Sequence, residues 1–82
     1  MEKKRIGKIT HFFPKISVAV IELEGNIKTG DTIEVEGHGA VFEQKIDSMQ
    51  VNHVNVAAAK KGEAIGMKVI QPVHAGDVVF LK

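Results

Sequence analysis

The sequence predicts an all-β protein, specifically a six-stranded closed antiparallel β-barrel, on three observations. The 82 residues include eleven Val and nine Ile but only two Leu, and β-branched residues favour a pleated sheet over a helix. Eight glycines separate short apolar runs, as turn residues do. Several short strands at regular spacing are typical of a barrel, which hides its strand edges by closing. Residues 1–82 are predicted to form one domain, because a chain of this length supports only one core.

The first three strands are predicted from the alternation of apolar and polar residues and from the proline and glycine residues that end the apolar runs. Residues 6–12 form the first strand, which stops before Pro14 because proline has no N–H to donate. Residues 17–23 form the second strand and end at a turn around Gly25. Residues 32–36 alternate strictly between apolar and acidic side chains, which indicates a third strand with one buried face.

The second half of the chain supplies three more strands. Residues 41–50 are long for one strand, and Met49 breaks the parity of Phe42 and Ile46, so we expect a bulge or bend near residues 47–48. Residues 64–70 and 77–81 form the fifth and sixth strands. The stretch 54–60 is helix-like in composition and is expected to form a single turn or a loop.

The apolar positions of these strands give a predicted core. It consists of Ile9, Val18, Val20, Ile21, Ile33, Val35, Phe42, Ile46, Met49, Ile65, Val69, Val78 and Phe80.

Composition excludes several classes of protein. Eleven basic and ten acidic residues give a net charge of +1, which does not suit a strongly cationic protein that coats nucleic acid. The absence of cysteine excludes a disulfide, a thiol nucleophile and a cysteine-based zinc site. The longest apolar run, residues 18–21, is far too short for a membrane span of about 20 residues. We therefore expect a soluble, cytoplasmic chain with no signal peptide and no membrane contact.

The motifs of catalysis and cofactor binding are missing from the sequence. No phosphate-binding loop occurs, so the chain alone is not expected to bind GTP. Neither Ser17 nor Ser48 lies in a nucleophile motif, and the four histidines lack metal-ligand spacing. The carboxylate pairs of residues 22/24 and 34/36 are explained by solvent-facing strand positions. The sequence predicts no enzyme, with no catalytic residues, no cofactor and no metal.

Basic residues offer the one candidate binding site. Lys60 and Lys61 occupy a predicted loop near Lys68, and Lys45 is a further possible neighbour. Clustered lysines suit contacts with RNA phosphates, although such a run is also typical of a solvated face. The predicted nucleic-acid-binding residues are Lys60, Lys61, Gln50, His53, Lys45 and Lys68.

Five segments in order resemble a known family. They are residues 7–13, residues 18–23 leading to 27–33, residues 42–46 leading to 48–50, residues 59–67, and residues 76–79. Together they resemble the second domain of translational GTPases such as elongation factor Tu and initiation factor two, over nearly the whole chain. A similar barrel also occurs as an accessory domain of collagenase-like peptidases.

The resemblance implies a stand-alone, translation-factor-like barrel without a GTPase domain. It implies a non-enzymatic module that contacts ribosomal RNA, tRNA or the ribosome through its loops. The aminoacyl pocket of elongation factor Tu does not carry over, since only Met49 persists among the matching positions Ser48, Met49, Gln50 and Ala64. The alternative is an accessory barrel that binds a protein partner by docking on an enzyme such as a collagenase-like peptidase.

Overall fold

The computed structural model of the protein describes residues 4–37, 40–52 and 54–82, and every regular element in these ranges is a β-strand. The strands in chain order are β1 (Lys4–Phe13), β2 (Val18–Leu23), β3 (Ile27–Lys28), β4 (Thr32–Gly37), β5 (Ala40–Lys45), β6 (Met49–Val51), β7 (Val54–Val56), β8 (Ala58–Ala59), β9 (Ala64–Lys68) and β10 (Val78–Leu81). The prediction of an all-β protein is confirmed. In the described part of the chain, no helix is long and apolar enough to cross a membrane.

Eight strands form one antiparallel sheet that curls into an open half-barrel. The order across the sheet is β5-β4-β10-β1-β2-β9-β6-β7, and β3 pairs separately with β8. The prediction of a closed six-stranded barrel is therefore wrong, because β5 and β7 remain as edges.

The opening arises where the chain leaves β5. Residues 46–48 interrupt the predicted fourth strand, as expected, and the two halves then take different partners. The first half pairs with β4, whereas Met49 and Gln50 pair with Met67 and Gly66 of β9. The chain next turns outward into β7, so nothing in the described sheet pairs with the outer edge of β5.

A glutamine side chain spans the opening. The Gln44 amide nitrogen donates to the Lys68 carbonyl at 3.0 Å, and its amide oxygen accepts from the Ile70 N–H at 3.0 Å. This pair of bonds reproduces what a neighbouring backbone would offer. The Gln44 side chain thus links the two sides of the opening.

Strand β1 provides the curvature of the sheet. Its ten residues pair with both β10 and β2, and its register shifts between Arg5 and Gly7 and again between Ile9 and His11. Each irregularity bends and twists a strand. A Cβ on Gly7 would lie 2.7 Å from the Glu22 carbonyl oxygen, so only glycine fits at this close approach.

The core lies on the concave face of the half-barrel, and the predicted core is correct for nine of its residues. Ile9, Ile21, Ile33, Val35, Phe42, Ile46, Met49, Ile65 and Val69 are buried. The other four, Val18, Val20, Val78 and Phe80, are only partly buried.

The core errors come from two strands: in β2 the prediction took residues from both faces, and in β10 it took the wrong face. In β2 the inward residues are Ala19, Ile21 and Leu23, and in β10 Val79 is fully buried. Both strands carry apolar side chains on consecutive positions, so alternation alone does not identify the buried face. The expected turn or loop at residues 54–60 also differs, because this stretch contains β7 and β8.

Three turns with the same geometry connect the strands, at residues 28–31, 60–63 and 74–77. Each has a glycine with positive φ in third place, at 94° for Gly30, 91° for Gly62 and 99° for Gly76. In each turn the N–H of the fourth, acidic residue donates to the carbonyl of the first. The carboxylate of that acid accepts from the first residue's N–H, at 2.7 to 3.0 Å. The acids therefore hold turns together.

Candidate interaction surfaces

The predicted loop at Lys60 and Lys61 is the second of these turns. The Lys60 N–H donates to the Glu63 carboxylate at 2.7 Å, and the Lys61 N–H donates to the Asn26 side-chain oxygen at 3.1 Å. The backbone of both lysines is thus committed to the turn, while both side chains are exposed. Lys60 also lines a groove of about 390 Å³ beside β3 and β8, with Lys28 and Asp31 on its wall.

Lys45 and Lys68 come together at the opening of the half-barrel. They line a groove of about 570 Å³ that is also bordered by Gln44, Asp47 and Ile70. We call this the basic groove, although the Asp47 carboxylate lies on its wall beside the two lysines.

The remaining predicted residues are Gln50 and His53. Gln50 is exposed on β6, and its amide nitrogen donates to the Asn55 side-chain oxygen at 3.0 Å. It shares a shallow depression of about 220 Å³ with Lys68. His53 lies outside the described residues. The structure therefore brings Lys45, Lys68 and Gln50 along adjoining depressions and places Lys60 on a different groove. Their contact with nucleic acid stays a prediction.

A third surface was missed by the sequence prediction. A groove of about 330 Å³ runs over the outer face of β2, β9 and β6, and it is lined by Phe13, Ile16, Val18, Val20, Gln50, Asn52, Ala64, Ile65 and Gly66. We call it the neutral groove, because none of these residues carries a charge. Val18 and Val20 were assigned to the core, although they face outward here. A glycine inside a strand was the available indication, since it often marks a close approach.

The rim of the neutral groove is set by the turn between β1 and β2. Ser17 has a φ of 54°, which is uncommon for a residue with a Cβ. The Ile16 N–H donates to the Phe13 carbonyl at 3.3 Å, and the Ser17 carbonyl accepts from Val69 at 2.8 Å. Phe13 and Ile16 are left 49% and 61% exposed. The turn thus presents two large apolar side chains to solvent beside an uncharged groove.

The acidic and histidine side chains with described structure do not come together as a metal centre. No set of three or more His, Asp or Glu residues lies close enough to hold a metal ion within those ranges. Ser48 is exposed on the wall of the basic groove.

Comparison with known proteins places the fold among peptidase domains. No family model matches the chain. Two crystal structures of the C-terminal domain of a U32 peptidase from Geobacillus thermoleovorans superimpose on it with TM-scores of 0.90 and 0.89. They cover 96% and 94% of this chain at 18% and 19% identity, and the matches span 92% and 98% of those chains. This chain shares their fold.

Curated relatives are also named as proteases. An uncharacterized protease of Methanocaldococcus jannaschii is 47% identical over an alignment of 81 residues, which covers 96% of this chain and 20% of that protein. A collagenase of Porphyromonas gingivalis is 30% identical over an alignment of 81 residues, which covers 96% of this chain and 22% of that protein. The chain therefore spans about a fifth of the length of the relatives it matches.

These relatives correct the prediction drawn from resemblance. They are named as proteases, a collagenase and a peptidase domain, and nothing in them points to domain two of translational GTPases. The resemblance to translation factors is therefore wrong, and so is the prediction of a translation-factor-like module that contacts RNA or the ribosome. The relatives favour the alternative, an accessory barrel that docks on a peptidase. The cytoplasmic location stays a prediction.

Proposed function

We propose that this chain is a non-enzymatic accessory domain that docks on the catalytic body of a peptidase. The observation that carries the proposal is the match to about a fifth of a protease and of a collagenase. The fold supports it, since the same half-barrel occurs as the C-terminal domain of a U32 peptidase. In this proposal the catalytic groups lie in the remaining four fifths of such an enzyme.

Exposed apolar side chains support a domain that packs on the catalytic body, as opposed to one that is joined to it only by a flexible connection. Phe13 and Ile16 are 49% and 61% exposed, and apolar residues rimming a groove are typical of interaction sites. Domains within one chain commonly meet over interfaces of moderate size, which this small surface can supply.

Amide hydrogen exchange tests docking directly. The probe is the full-length Methanocaldococcus jannaschii protease in which this 82-residue chain replaces the matching stretch, which is 20% of that protein. We expect one contiguous surface of the barrel to exchange more slowly in the graft than in the isolated chain. If the amide hydrogens of the barrel exchange at the same rates in the graft and in the isolated chain, the domain is tethered to the protease without docking on it.

Cleavage of gelatin tests the non-enzymatic part of the proposal. The isolated chain, the parent protease and the graft are compared at equal molar concentrations. We expect no cleavage by the isolated chain at any concentration at which the parent or graft cleaves. Gelatin cleavage by the isolated, purified chain would show that it carries catalytic groups of its own.

A further inference from the structure

We infer that the neutral groove is the docking surface for the peptidase body and that its occupant is an uncharged, apolar segment of that body. The inference rests on the proposed function and assigns a face and a ligand chemistry to it. Among the described residues that line the three surfaces above, those of this groove are the ones that include no charged side chain.

The floor of the groove is flat because of one glycine. Gly66 is paired with Val20 of β2 on one side and with Gln50 of β6 on the other. Its neighbours Ile65 and Met67 are buried, so position 66 faces outward into the groove. A side chain here would stand between the two flanking strands and fill the space.

Backbone geometry does not explain this glycine. Gly66 is not among the glycines with positive φ, and a Cβ placed on it would meet only Val18 Cγ1, at an ordinary 3.5 Å. Glycine inside a strand costs about 0.5–1 kcal/mol relative to alanine. A glycine that neither a turn nor crowding requires is accounted for when another chain approaches the strand closely.

The rim provides the apolar contacts. Phe13 and Ile16 stand beside the glycine floor, held by a turn in which Ser17 has a left-handed φ of 54°. Such backbone strain is concentrated at functional sites. Together with Val18 and Val20, these side chains would enclose an aliphatic or aromatic residue of the partner.

The lining determines the chemistry of the occupant. The polar groups of the groove are the amides of Gln50 and Asn52, which can bond to main-chain groups but do not neutralise a charge. A charged segment would lose its hydration there without gaining an opposite charge. In the relatives, about four fifths of the protein lies outside the matched stretch. A segment of that body in the same polypeptide has a high effective concentration at the groove.

Thiol labelling of the grafted protease tests whether the neutral groove is the docking surface. The chain has no cysteine, so single cysteines are introduced by Ile16→Cys at the groove rim and by Ile70→Cys on the basic groove as the matched control. Ile16 and Ile70 are similarly exposed, at 61% and 67%. The labelled peptide is quantified by mass spectrometry after reaction with N-ethylmaleimide. We expect Ile16→Cys to react about tenfold more slowly in the graft than in the isolated chain, and Ile70→Cys to react equally in both.

The possible outcomes distinguish a failure of the neutral groove as the docking surface from a failure of the proposed docking itself. If only Ile70→Cys is labelled more slowly in the graft, the neutral groove is not the docking surface, although the domain still docks. Equal rates for both cysteines, with unchanged hydrogen exchange, would overturn both proposals. Slower labelling of Ile16→Cys in the isolated chain at rising concentration would identify a second copy as the occupant, and would also overturn this inference.

A groove-filling substitution gives an independent test. Gly66→Val puts a strand-compatible side chain on the groove floor, and Lys8→Val adds valine to an exposed strand position outside the groove. We expect Gly66→Val, combined with Ile16→Cys, to restore the labelling rate of the isolated chain, while Lys8→Val leaves the protection unchanged. Circular dichroism of the isolated variants verifies their fold. Full protection in a folded Gly66→Val variant would overturn the groove as the contact.

Discussion

Gly37 and Gly66 lie in strands without positive φ, yet their missing side chains have different consequences. A Cβ on Gly37 would overlap the carboxylate of Asp77, which is buried against β4. One oxygen of that carboxylate accepts from the His74 N–H at 2.9 Å, so the Asp77 side chain cannot move without breaking its turn. A Cβ on Gly66 meets only Val18 Cγ1 at 3.5 Å. Gly37 is therefore required for packing, whereas Gly66 is not.

This difference predicts opposite effects of alanine on stability. Gly37→Ala is expected to lower the free energy of unfolding by about 2 kcal/mol, because overpacking a closed site forces its neighbours to shift. Gly66→Ala is expected to raise it by about 0.5 kcal/mol, because alanine limits the unfolded backbone more than glycine does. Urea unfolding of the isolated chain measures both. Equal effects of the two substitutions would contradict the packing of Asp77 against Gly37.

At the scale of elements, the Gln44 side chain makes hydrogen bonds of the kind that a neighbouring strand would otherwise make. The two ends of its amide bond to the backbone of Lys68, the last residue of β9, and of Ile70 just beyond it, across the opening from β5. The contact joins residues 24 and 26 positions apart in the chain. It is therefore the described link between the edge strand β5 and the far side of the half-barrel.

Removing this amide is expected to loosen the opening. Gln44→Ala loses two partly exposed hydrogen bonds, so the free energy of unfolding should fall by about 1 kcal/mol. The Ile70 amide should exchange its hydrogen faster, since its acceptor is gone. Gln50→Ala is the matched control, because that exposed amide bonds to the Asn55 side chain. Unchanged exchange at Ile70 in Gln44→Ala would show that the link does not hold the opening.

The sequence predicted the local features of these elements and missed the long-range ones. The all-β class, the bend at residues 47–48 and the burial of Ile33 and Val35 all depend on near neighbours. The strict alternation predicted for that strand is wrong at Glu34, which was expected to face solvent and is buried. Closure of the barrel depends on whether β5 pairs with a strand that is distant in the sequence, and amino-acid composition does not indicate that pairing. The same limit explains the site: lysines were chosen for their charge, while Val18 and Val20 were assigned to the core because they are apolar. Only the pairing of β2 with β9 shows that they line a groove.

At the scale of the whole molecule, an open sheet must keep its free edges from pairing with other chains. Strand β7 has only three residues, and short edges are poor templates. Strand β5 has six residues and carries an exposed Val41. Charged Glu43 and Lys45 follow on the same outward face, and Glu43 also forms an ion pair with Lys82 at 2.8 Å. Charges on an edge strand oppose the addition of another strand, which leaves the face of the sheet as the better docking surface.

Replacing both charges tests this protection. Glu43→Val with Lys45→Val would extend Val41 into an apolar row along β5, so we expect the variant to self-associate at concentrations where the parent chain associates less. Lys82→Ala is the control, because it removes the ion pair and leaves β5 unchanged. Sedimentation velocity over a concentration series measures the weight-average mass of each protein. If the double variant and the parent have the same mass at every concentration, the charges of β5 are not what protects the open edge. The shielding would then have to come from the geometry of the opening that Gln44 spans.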